Sequence, residues 1–242
     1  MQKVIIIGAS SGIGRALAKL YAREGCAVGI TARRMDLLEP LAQELGANAQ
    51  AARMDISVPE EAASQLDALI QSLGGMDLLI ISAGTGHINP GLEWRYERDT
   101  IDVNVRGFTA LAGAAMQHFL RQGSGHLAAV SSVAALRGSA NSPAYNASKA
   151  YMSSYLEGLA CKAKASGKPV AVTDIRPGFV DTAMAQGEGL FWVAPPEKAA
   201  RQIARIIARR KGCGYVTKRW ALVALLLKLI PRRLYISVFK NS

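Results

Sequence analysis

Cysteine is scarce in this chain of 242 residues. Cys26, Cys161 and Cys213 stand far apart and form no CxxC pair, so the sequence indicates neither a disulfide framework nor a zinc cluster. The first residues lack the apolar stretch and small-residue cleavage site of a secretory signal. We therefore expect a cytoplasmic protein in a reducing compartment, without a bound metal.

Acidic residues are almost absent from the C-terminal segment. Residues 197–242 contain 12 lysines and arginines but one acid, Glu197, whereas residues 1–196 contain 17 residues of each sign. The formal net charge of +11 thus belongs to this segment. No interleaved aromatics or recognisable binding motif accompany the charge, so we expect no nucleic-acid partner. The segment is either a solvated face or a surface-binding element.

Long apolar runs are also missing from the tail. Residues 220–227 are eight uncharged residues between Arg219 and Lys228, and the apolar residues 234–236 follow Pro-Arg-Arg at 231–233. A spanning helix needs about 20 residues. Two hypotheses stay open: the tail is buried against the body or a partner subunit, or it lies in the plane of an anionic membrane surface, peripheral on its inner face.

Short runs rich in valine and isoleucine alternate with helical patterns, without internal repeats or linkers. The pattern predicts an α/β fold with one Rossmann-type, doubly wound parallel sheet covered by helices on both faces. We expect a single domain, with residues 1–217 as the nucleotide-binding catalytic domain and 218–242 as its extension. Predicted strands are 4–8, 27–32, 47–54, 76–82, 126–132 and 170–175, and predicted helices are 13–24, 35–45, 59–73, 105–121 and about 144–165.

A glycine-rich sequence, Gly-Ala-Ser-Ser-Gly-Ile-Gly, joins the first strand to the first helix. Its glycines are Gly8, Gly12 and Gly14. Glycines at this place allow a tight turn and let backbone N–H groups approach a pyrophosphate at the helix N-terminus, where the helix dipole favours negative charge. By itself the pattern is also compatible with an ordinary strand-to-helix turn.

Tyr145 and Lys149 lie four residues apart at the start of a predicted helix and therefore project from the same face. A free phenol has a pKa near ~10, and a neighbouring ammonium group favours its ionised form. Ser132, at the end of a strand, can donate a hydrogen bond to a substrate oxygen. Taken alone, the tyrosine and lysine could equally be a solvated pair.

These motifs, in this order, resemble the short-chain dehydrogenase/reductase family. The resemblance spans about residues 3–217 and rests on the GxxxGxG loop, Asn104, Ser132, the YxxxK motif at 145–149 and Pro177-Gly178 with Thr182. It implies that Tyr145 is the general acid/base, Lys149 its pKa partner and ribose ligand, Ser132 the substrate-oxygen donor and Asn104 the water-holding residue. The other cofactor-binding positions that it implies are Ser10, Ser11, Ile13, Asp55, Ile56, Ala83, Gly84 and Val180.

Cofactor choice depends on the end of the second strand. An acid there would bond the ribose 2′-hydroxyl of NAD, but this chain has Arg33 and Arg34, which suit a 2′-phosphate. We therefore expect NADP(H), with NAD(H) as the weaker alternative; two solvated arginines would give the same sequence. By the resemblance, Asp55 contacts the adenine amino group, although an Asp at this place can also be a helix cap.

Two positions depart from the family pattern. Ile7 replaces the usual threonine before the glycine loop, and Ile-Ser-Ala-Gly at 81–84 replaces NNAG. Ala83 and Gly84 preserve the turn, whereas the support given by asparagine side chains is lost. His87, in the following loop, faces either the substrate or the solvent.

The segment 183–196 after the PG motif corresponds to the family's substrate lid. Its glycines, Gly187 and Gly189, and its apolar Leu190, Phe191 and Trp192 favour an apolar or lipid-like substrate, unless the two aromatics belong to the core. The resemblance also implies a homodimer or homotetramer formed through helices 105–121 and 144–165. The first of these helices is rich in small residues, namely Ala110, Ala112, Gly113, Ala114 and Ala115.

The expected activity is hydride transfer between NADP(H) and a small-molecule carbonyl or secondary alcohol. The alternative is a catalytically quiet, NADP-binding or membrane-recruited regulatory module on the same fold, because a fold does not certify turnover.

Overall fold

A seven-stranded parallel sheet forms the centre of the structure, a computed structural model that describes residues 1–184 and 191–238. The strand order is β3-β2-β1-β4-β5-β6-β7. The strands are β1 Lys3–Ile7, β2 Ala27–Ala32, β3 Ala49–Arg53, β4 Leu78–Ile81, β5 Gly125–Val130, β6 Val170–Pro177 and β7 Cys213–Val216. The predicted doubly wound sheet is confirmed, and β7 adds a strand that its short sequence, Cys-Gly-Tyr-Val, does not predict.

Helices cover both faces of the sheet. They are α1 Gly12–Arg23, α2 Met35–Leu45, α3 Pro59–Leu73, α4 Trp94–Ile101, α5 Phe108–Gln122, α6 Pro143–Ala165, α7 Pro196–Ala208, α8 Trp220–Leu229 and α9 Arg232–Val238. One apolar core contains residues of α3, α5 and α6, and the other contains residues of α1, α2 and α7. Burial on both sides explains why β1, β2, β4 and β5 are continuous apolar runs rather than alternating ones.

The predicted helix 105–121 is wrong at its start. A π-helix, Asp102–Gly107, joins α4 to α5, so helical structure runs from Trp94 to Gln122. Gly107 lies so close to the Ile56 carbonyl that a Cβ there would overlap it. Close approach of the two backbones therefore requires glycine at this position. A wide turn of this kind has no periodic sequence signal, and π-turns are frequent at functional sites.

The C-terminal helices contact the body on one side. Trp220 and Ala224 of α8 are buried, and the Trp220 ring occupies the space that a Cβ on Gly178 would need. Arg137 Nε donates to the Leu227 carbonyl over 2.7 Å, and the Tyr235 hydroxyl donates to the Gly138 carbonyl over 2.6 Å. One face of α8 is thus buried against the body, and a hydrogen bond ties α9 to it. Among the described residues, no helix is both long and apolar enough to cross a membrane.

Candidate active site

The carboxyl ends of the strands place the predicted residues along one edge of the sheet. Gly8 follows β1, the two arginines follow β2, Asp55 follows β3 and Gly178 follows β6. Strand order reverses between β1 and β4, and the crevice at such a reversal is the usual ligand site of open α/β sheets.

The glycine loop is compact because its backbone segments touch. Gly8 has φ +87°, a left-handed conformation, and its N–H donates to the Thr31 carbonyl over 2.9 Å. A Cβ on Gly8 would lie 2.6 Å from the Ala83 backbone, and a Cβ on Gly14 would overlap the Gly8 carbonyl. The glycines at positions 8 and 14 are therefore required by close approach.

The N-terminus of α1 opens beside this loop. Ser11 precedes the helix in extended backbone, and within the part of the chain that the structure describes its side chain makes no capping hydrogen bond. The first N–H groups of a helix lack intrahelical partners, so the loop can receive an anionic phosphate. Thr182 closes the loop from the other side, 2.8 Å from where a Cβ on Gly12 would lie. Val180 is buried and bridges Ala194.

Arg33 and Arg34 are exposed at the end of β2, next to the glycine loop. Arg34 Nη2 lies 3.4 Å from Ser10 Oγ, so its guanidinium reaches the loop. Asp55 accepts hydrogen bonds from the Ser57 N–H and hydroxyl at 3.0 and 2.7 Å. Partial burial opposes ionisation of Asp55, but these bonds and the charges of Arg33 and Arg53 lower its pKa overall. The Asp55 carboxylate therefore stabilises the turn before α3, where Val58 is the residue that precedes the helix.

The turn after β4 has the backbone geometry expected despite its altered sequence. The N–H groups of Ser82 and Ala83 both donate to the Ile7 carbonyl over 2.9 Å. Neither bond uses a side chain, so serine in place of asparagine leaves this part of the turn intact. Gly84 is the next residue, and a Cβ there would lie 3.2 Å from both Asn104 Oδ1 and Lys149 Nζ.

Tyr145, Lys149 and Ser132 lie together at the start of α6. Lys149 Nζ lies 5.7 Å from the centre of the Tyr145 ring and donates to the Val130 carbonyl over 3.1 Å. Ser132 forms a hydrogen bond with the tyrosine, and its Oγ accepts the Ala134 N–H at 3.0 Å. Gly86 leaves room for the tyrosine ring, because a Cβ there would overlap its edge.

Asn104 is buried in the π-helix and ties three elements together. Its Oδ1 accepts the Thr85 N–H at 2.9 Å, and its Nδ2 donates to the Thr85 carbonyl and the Ser148 hydroxyl over 2.7 and 3.0 Å. Both ends of the amide are therefore engaged. The side chain holds the loop after β4 against the second turn of α6.

Burial shifts both ionisable groups toward their neutral forms. The pKa of Lys149 is lowered to about 8 by burial, which the Asp174 carboxylate partly offsets. Burial raises the pKa of Tyr145, and the hydrogen bond with Ser132 opposes that rise. The net direction for the tyrosine is upward, opposite to the lowering that a nearby ammonium group alone would give.

Asp174 is a residue that the motifs do not indicate. It is buried in β6, where Ser131 donates a hydrogen bond to it and Arg176 Nε donates over 2.7 Å. A signal exists in the sequence: an acid within the apolar run Val-Ala-Val-Thr-Asp-Ile must have partners, because an unpaired buried charge is costly. Its partners are the residue that follows β5 and a residue of β6, and its charge acts on Lys149.

His87 is held by a neighbouring acid. Its Nε2 lies 2.6 Å from Asp99 Oδ2, and its ring lies 4.9 Å from the Tyr96 ring. Thr85 also donates to Asp99, over 3.4 Å. His87 is therefore a paired residue rather than a free surface histidine, and its contact with Asp99 organises the loop beside Tyr145.

The apolar residues after the PG motif meet the tail. Phe191 stacks on Trp220 with ring centres 5.1 Å apart, and Trp192 lies 6.1 Å from the same ring. Phe191 and Trp192 remain 49% and 45% exposed, so the core interpretation of these two residues is wrong. Gly187, Gly189 and Leu190 lie outside the described residues.

Sequence comparison agrees with this arrangement. The model of the short chain dehydrogenase family matches residues 2–190. An uncharacterized oxidoreductase of Myxococcus xanthus is 38% identical over 181 residues, which cover 73% of this chain and 71% of the relative. Another, of Mycobacterium tuberculosis, is 30% identical over 244 residues, covering 96% and 95%.

Solved structures share the fold at lower sequence identity. A short chain dehydrogenase/reductase from Burkholderia phymatum, in complex with NAD, superposes with a TM-score of 0.86 at 22% identity, covering 98% of this chain and 94% of that one. A short-chain dehydrogenase from Sphingobium yanoikuyae, in complex with NADPH, gives 0.81 at 23% identity, covering 96% and 97%. With the family model matched over most of its length, this chain belongs to the short-chain dehydrogenase/reductase family and is an NAD(P)-dependent oxidoreductase.

Proposed function

We propose that the protein interconverts a carbonyl and a secondary alcohol on an apolar substrate, with NADP(H) as the preferred cofactor. One observation carries the proposal: Ser132, Tyr145, Lys149 and Asn104 meet at the carboxyl edge of the sheet, beside an open glycine loop. A solvated tyrosine–lysine pair would not have a buried lysine, and Lys149 is only 3% exposed.

The residues of the loop fit a dinucleotide. The N–H groups at the start of α1, around Ser11 to Gly14, would hold the pyrophosphate, and Asp55 and Ile56 would border the adenine. Lys149 would hold the nicotinamide ribose, since its Nζ lies beside Gly84. The other proposed contacts come from Gly8, Ser10, Ala83, Asn104, Tyr145, Pro177, Gly178, Val180 and Thr182.

Arg33 and Arg34 support the preference for NADP(H). Both residues are exposed after β2, and the Arg34 guanidinium reaches Ser10 in the glycine loop. A 2′-phosphate would accept forked, charge-assisted hydrogen bonds from them. Arg33 also acts on Asp55 electrostatically, so the two arginines and the acid form one recognition edge.

The proposed chemistry divides between cofactor and protein. The bound nicotinamide supplies or accepts the hydride. Ser132 orients the substrate oxygen by hydrogen bonding, and Tyr145 donates its hydroxyl proton to the oxygen as negative charge develops there. A phenol whose pKa is raised by burial stays protonated at neutral pH, which suits an acid in carbonyl reduction. Asn104 would hold a water beside the tyrosine and lysine, and its side chain also fixes the loop at Thr85. Lys149 acts by its charge next to the tyrosine.

The proposed substrate is apolar because the described part of the segment after the PG motif is apolar. Phe191 and Trp192 are half exposed, and Phe179 contacts Trp220 with ring centres 5.3 Å apart. We also propose a homodimer or homotetramer through α5 and α6. Ala112 and Ala115 are buried in the core, whereas Gly113 is half-buried and a Cβ there would meet only the Tyr155 hydroxyl of α6, at 3.8 Å, so a second helix has room to approach at this position.

The experiment that tests the function is NADPH oxidation over ketones of graded chain length by the protein and by Tyr145→Phe. We expect turnover that rises with chain length and falls by at least about 10³-fold in the variant, because only the proton-donating hydroxyl is removed. The variant should still bind NADPH, as measured by fluorescence, because the other proposed cofactor contacts remain. Comparable turnover by the variant would refute the assigned role, and NADPH binding without turnover by the unaltered protein would favour a regulatory module.

A further inference from the structure

Helix α8 has two apolar faces. Trp220 and Ala224 point into the body, whereas Leu222, Leu225, Leu226 and Leu229 are 67%, 54%, 62% and 70% exposed. Their spacing of i, i+3, i+4 and i+7 places the four leucines on one side of the helix. A helix that is apolar on its solvent side as well as its inner side needs a second covering.

Further exposed apolar residues lie in neighbouring segments. In α9, Leu234, Ile236 and Val238 are 54%, 52% and 63% exposed. Residues 191–193 adjoin the start of α8, because the Arg219 guanidinium lies 5.0 Å from the centre of the Trp192 ring. We call this surface the outer apolar face. It consists of the four leucines of α8, of Trp192 and Val193 beside the start of that helix, and of Leu234 and Val238, which share one side of α9.

Basic residues lie in, or directly before, the two helices that carry the outer apolar face. Arg219, Lys228, Arg232 and Arg233 are exposed, and the sequence contains no acid after Glu197. A second copy of the chain on this face would bring like charges together without acidic partners. An anionic lipid surface fits both the exposed apolar residues and the positive charge, because its headgroups attract the cations and its acyl chains receive the leucines. Tryptophan at the edge of the face suits the headgroup region.

The outer apolar face adjoins the active site. Arg137 and Gly138, which bond to α8 and α9, belong to the segment between Ser132 and Tyr145. Trp220 lies directly on Gly178, next to the last residue of β6. The helices that present the leucines therefore contact two segments that carry the proposed catalytic and nicotinamide-binding residues.

We propose that the outer apolar face docks on an anionic lipid bilayer in the plane of its headgroups, so that apolar substrates reach the site from the bilayer. The docking is inferred from the outer apolar face and its charges alone, while the route of the substrate rests on the proposed function.

The test is co-sedimentation of the full-length protein with phosphatidylcholine vesicles that contain about 30% phosphatidylserine. We expect binding at low salt, little binding to pure phosphatidylcholine, and release at about 0.5 M salt, where screening is short-ranged. The double variant Leu225→Gln/Leu226→Gln and the double variant Arg232→Glu/Arg233→Glu should each lose roughly tenfold or more in affinity. All four side chains are exposed, so unfolding curves should match those of the unaltered protein.

A matched control is available at the opposite edge of the sheet. Arg209→Glu/Lys211→Glu makes the same charge change in the same basic segment, beyond the C-terminal end of α7 and before β7. Its vesicle binding should fall far less than that of Arg232→Glu/Arg233→Glu. Equal losses would mean diffuse charge attraction and would overturn the proposal. The proposal is also overturned if the unaltered protein ignores anionic vesicles at low salt, or if light scattering shows that the leucine variant breaks an oligomer.

Activity separates this proposal from the proposed function. Reduction of a short, water-soluble ketone should be the same in the leucine variant and the unaltered protein, while reduction of a long-chain ketone held in anionic vesicles should fall with vesicle binding. Binding without any ketone reduction would leave the docking intact and refute the proposed function. Equal reduction of the vesicle-held ketone by both proteins would overturn the substrate route.

Discussion

Burial of Lys149 makes the stability of the folded protein depend on pH. The residue is 3% exposed, and burial lowers its pKa from 10.5 to about 8. Below pH ~8 the ammonium group is charged in both the folded and the unfolded chain, and its burial destabilises the folded state by the full amount. Between the two pKa values only the unfolded chain keeps the proton, so stability rises as the pH rises.

The magnitude follows from the shift of the pKa. A lowering from 10.5 to about 8 corresponds to about 3 kcal/mol of destabilisation at neutral pH, since each pKa unit is about 1.4 kcal/mol. By proton linkage, roughly 2 kcal/mol of this is recovered between pH ~7 and ~9.5. Lys149→Met removes the ionisable group and leaves a side chain of similar length. The unfolding free energy of the unaltered protein, minus that of Lys149→Met, should therefore increase by about 2 kcal/mol over this range.

Urea unfolding of the cofactor-free proteins, followed by circular dichroism, measures this difference. Taking the difference between the two proteins at each pH cancels the titration of other groups. Following the change of that difference with pH also cancels any constant loss of packing or of the bond to the Val130 carbonyl. Lys162→Met on the same helix is the control, since Lys162 is exposed and its replacement removes no buried charge. If the difference for Lys149→Met stays constant within about 0.5 kcal/mol between pH ~7 and ~9.5, the claim that burial lowers the pKa of Lys149 is refuted.

Two further predictions concern the cofactor and the assembly. Replacing Arg33 and Arg34 by alanine should weaken NADPH binding by about 10- to 100-fold and leave NADH binding nearly unchanged, because only the 2′-phosphate loses its partners. Titration calorimetry with both cofactors measures the two affinities. Equal affinities for NADPH and NADH in the unaltered protein would refute the NADP(H) preference. Light scattering at micromolar concentration should give a dimer or tetramer. The variant Gly113→Arg should dissociate this oligomer without unfolding the chain, since a Cβ at Gly113 meets nothing nearer than the Tyr155 hydroxyl at 3.8 Å. A monomeric unaltered protein would exclude assembly through α5.

The sequence predicts best the helices and strands that are buried in the fold, because burial requires apolar residues at regular positions in the sequence. α2 and α3 begin and end at the predicted residues, and the predicted strands pair in parallel. β7 has four residues, one a half-exposed tyrosine, and its place beside β6 is decided by long-range pairing. α7 does have a usable signal, namely a proline and an acid in its first turn and buried apolar positions at 199, 200, 203 and 207.

The proposed site likewise contains features that the sequence predicts and contacts that it does not predict. Sequence spacing predicts that Tyr145 and Lys149 share a helix face, because i and i+4 are neighbours. The contact of Gly86 with the tyrosine ring and the pairing of His87 with Asp99 join residues of different elements, so no local pattern encodes them. The upward pKa shift of Tyr145 likewise comes from burial, which depends on the complete fold.

Contacts of the tail with the body decide how the tail can be tested. Deletion of residues 219–242 would remove the Trp220 ring from Gly178 and take away the Leu227 carbonyl to which Arg137 donates. Both losses fall on segments beside the proposed site, so a truncated protein that lacked activity or vesicle binding would not distinguish a lipid anchor from a structural support. Substitutions on the exposed leucines leave Trp220 and Arg137 in place. They change what the outer face offers to a membrane while the inner face still holds the site, and so they isolate the lipid contact.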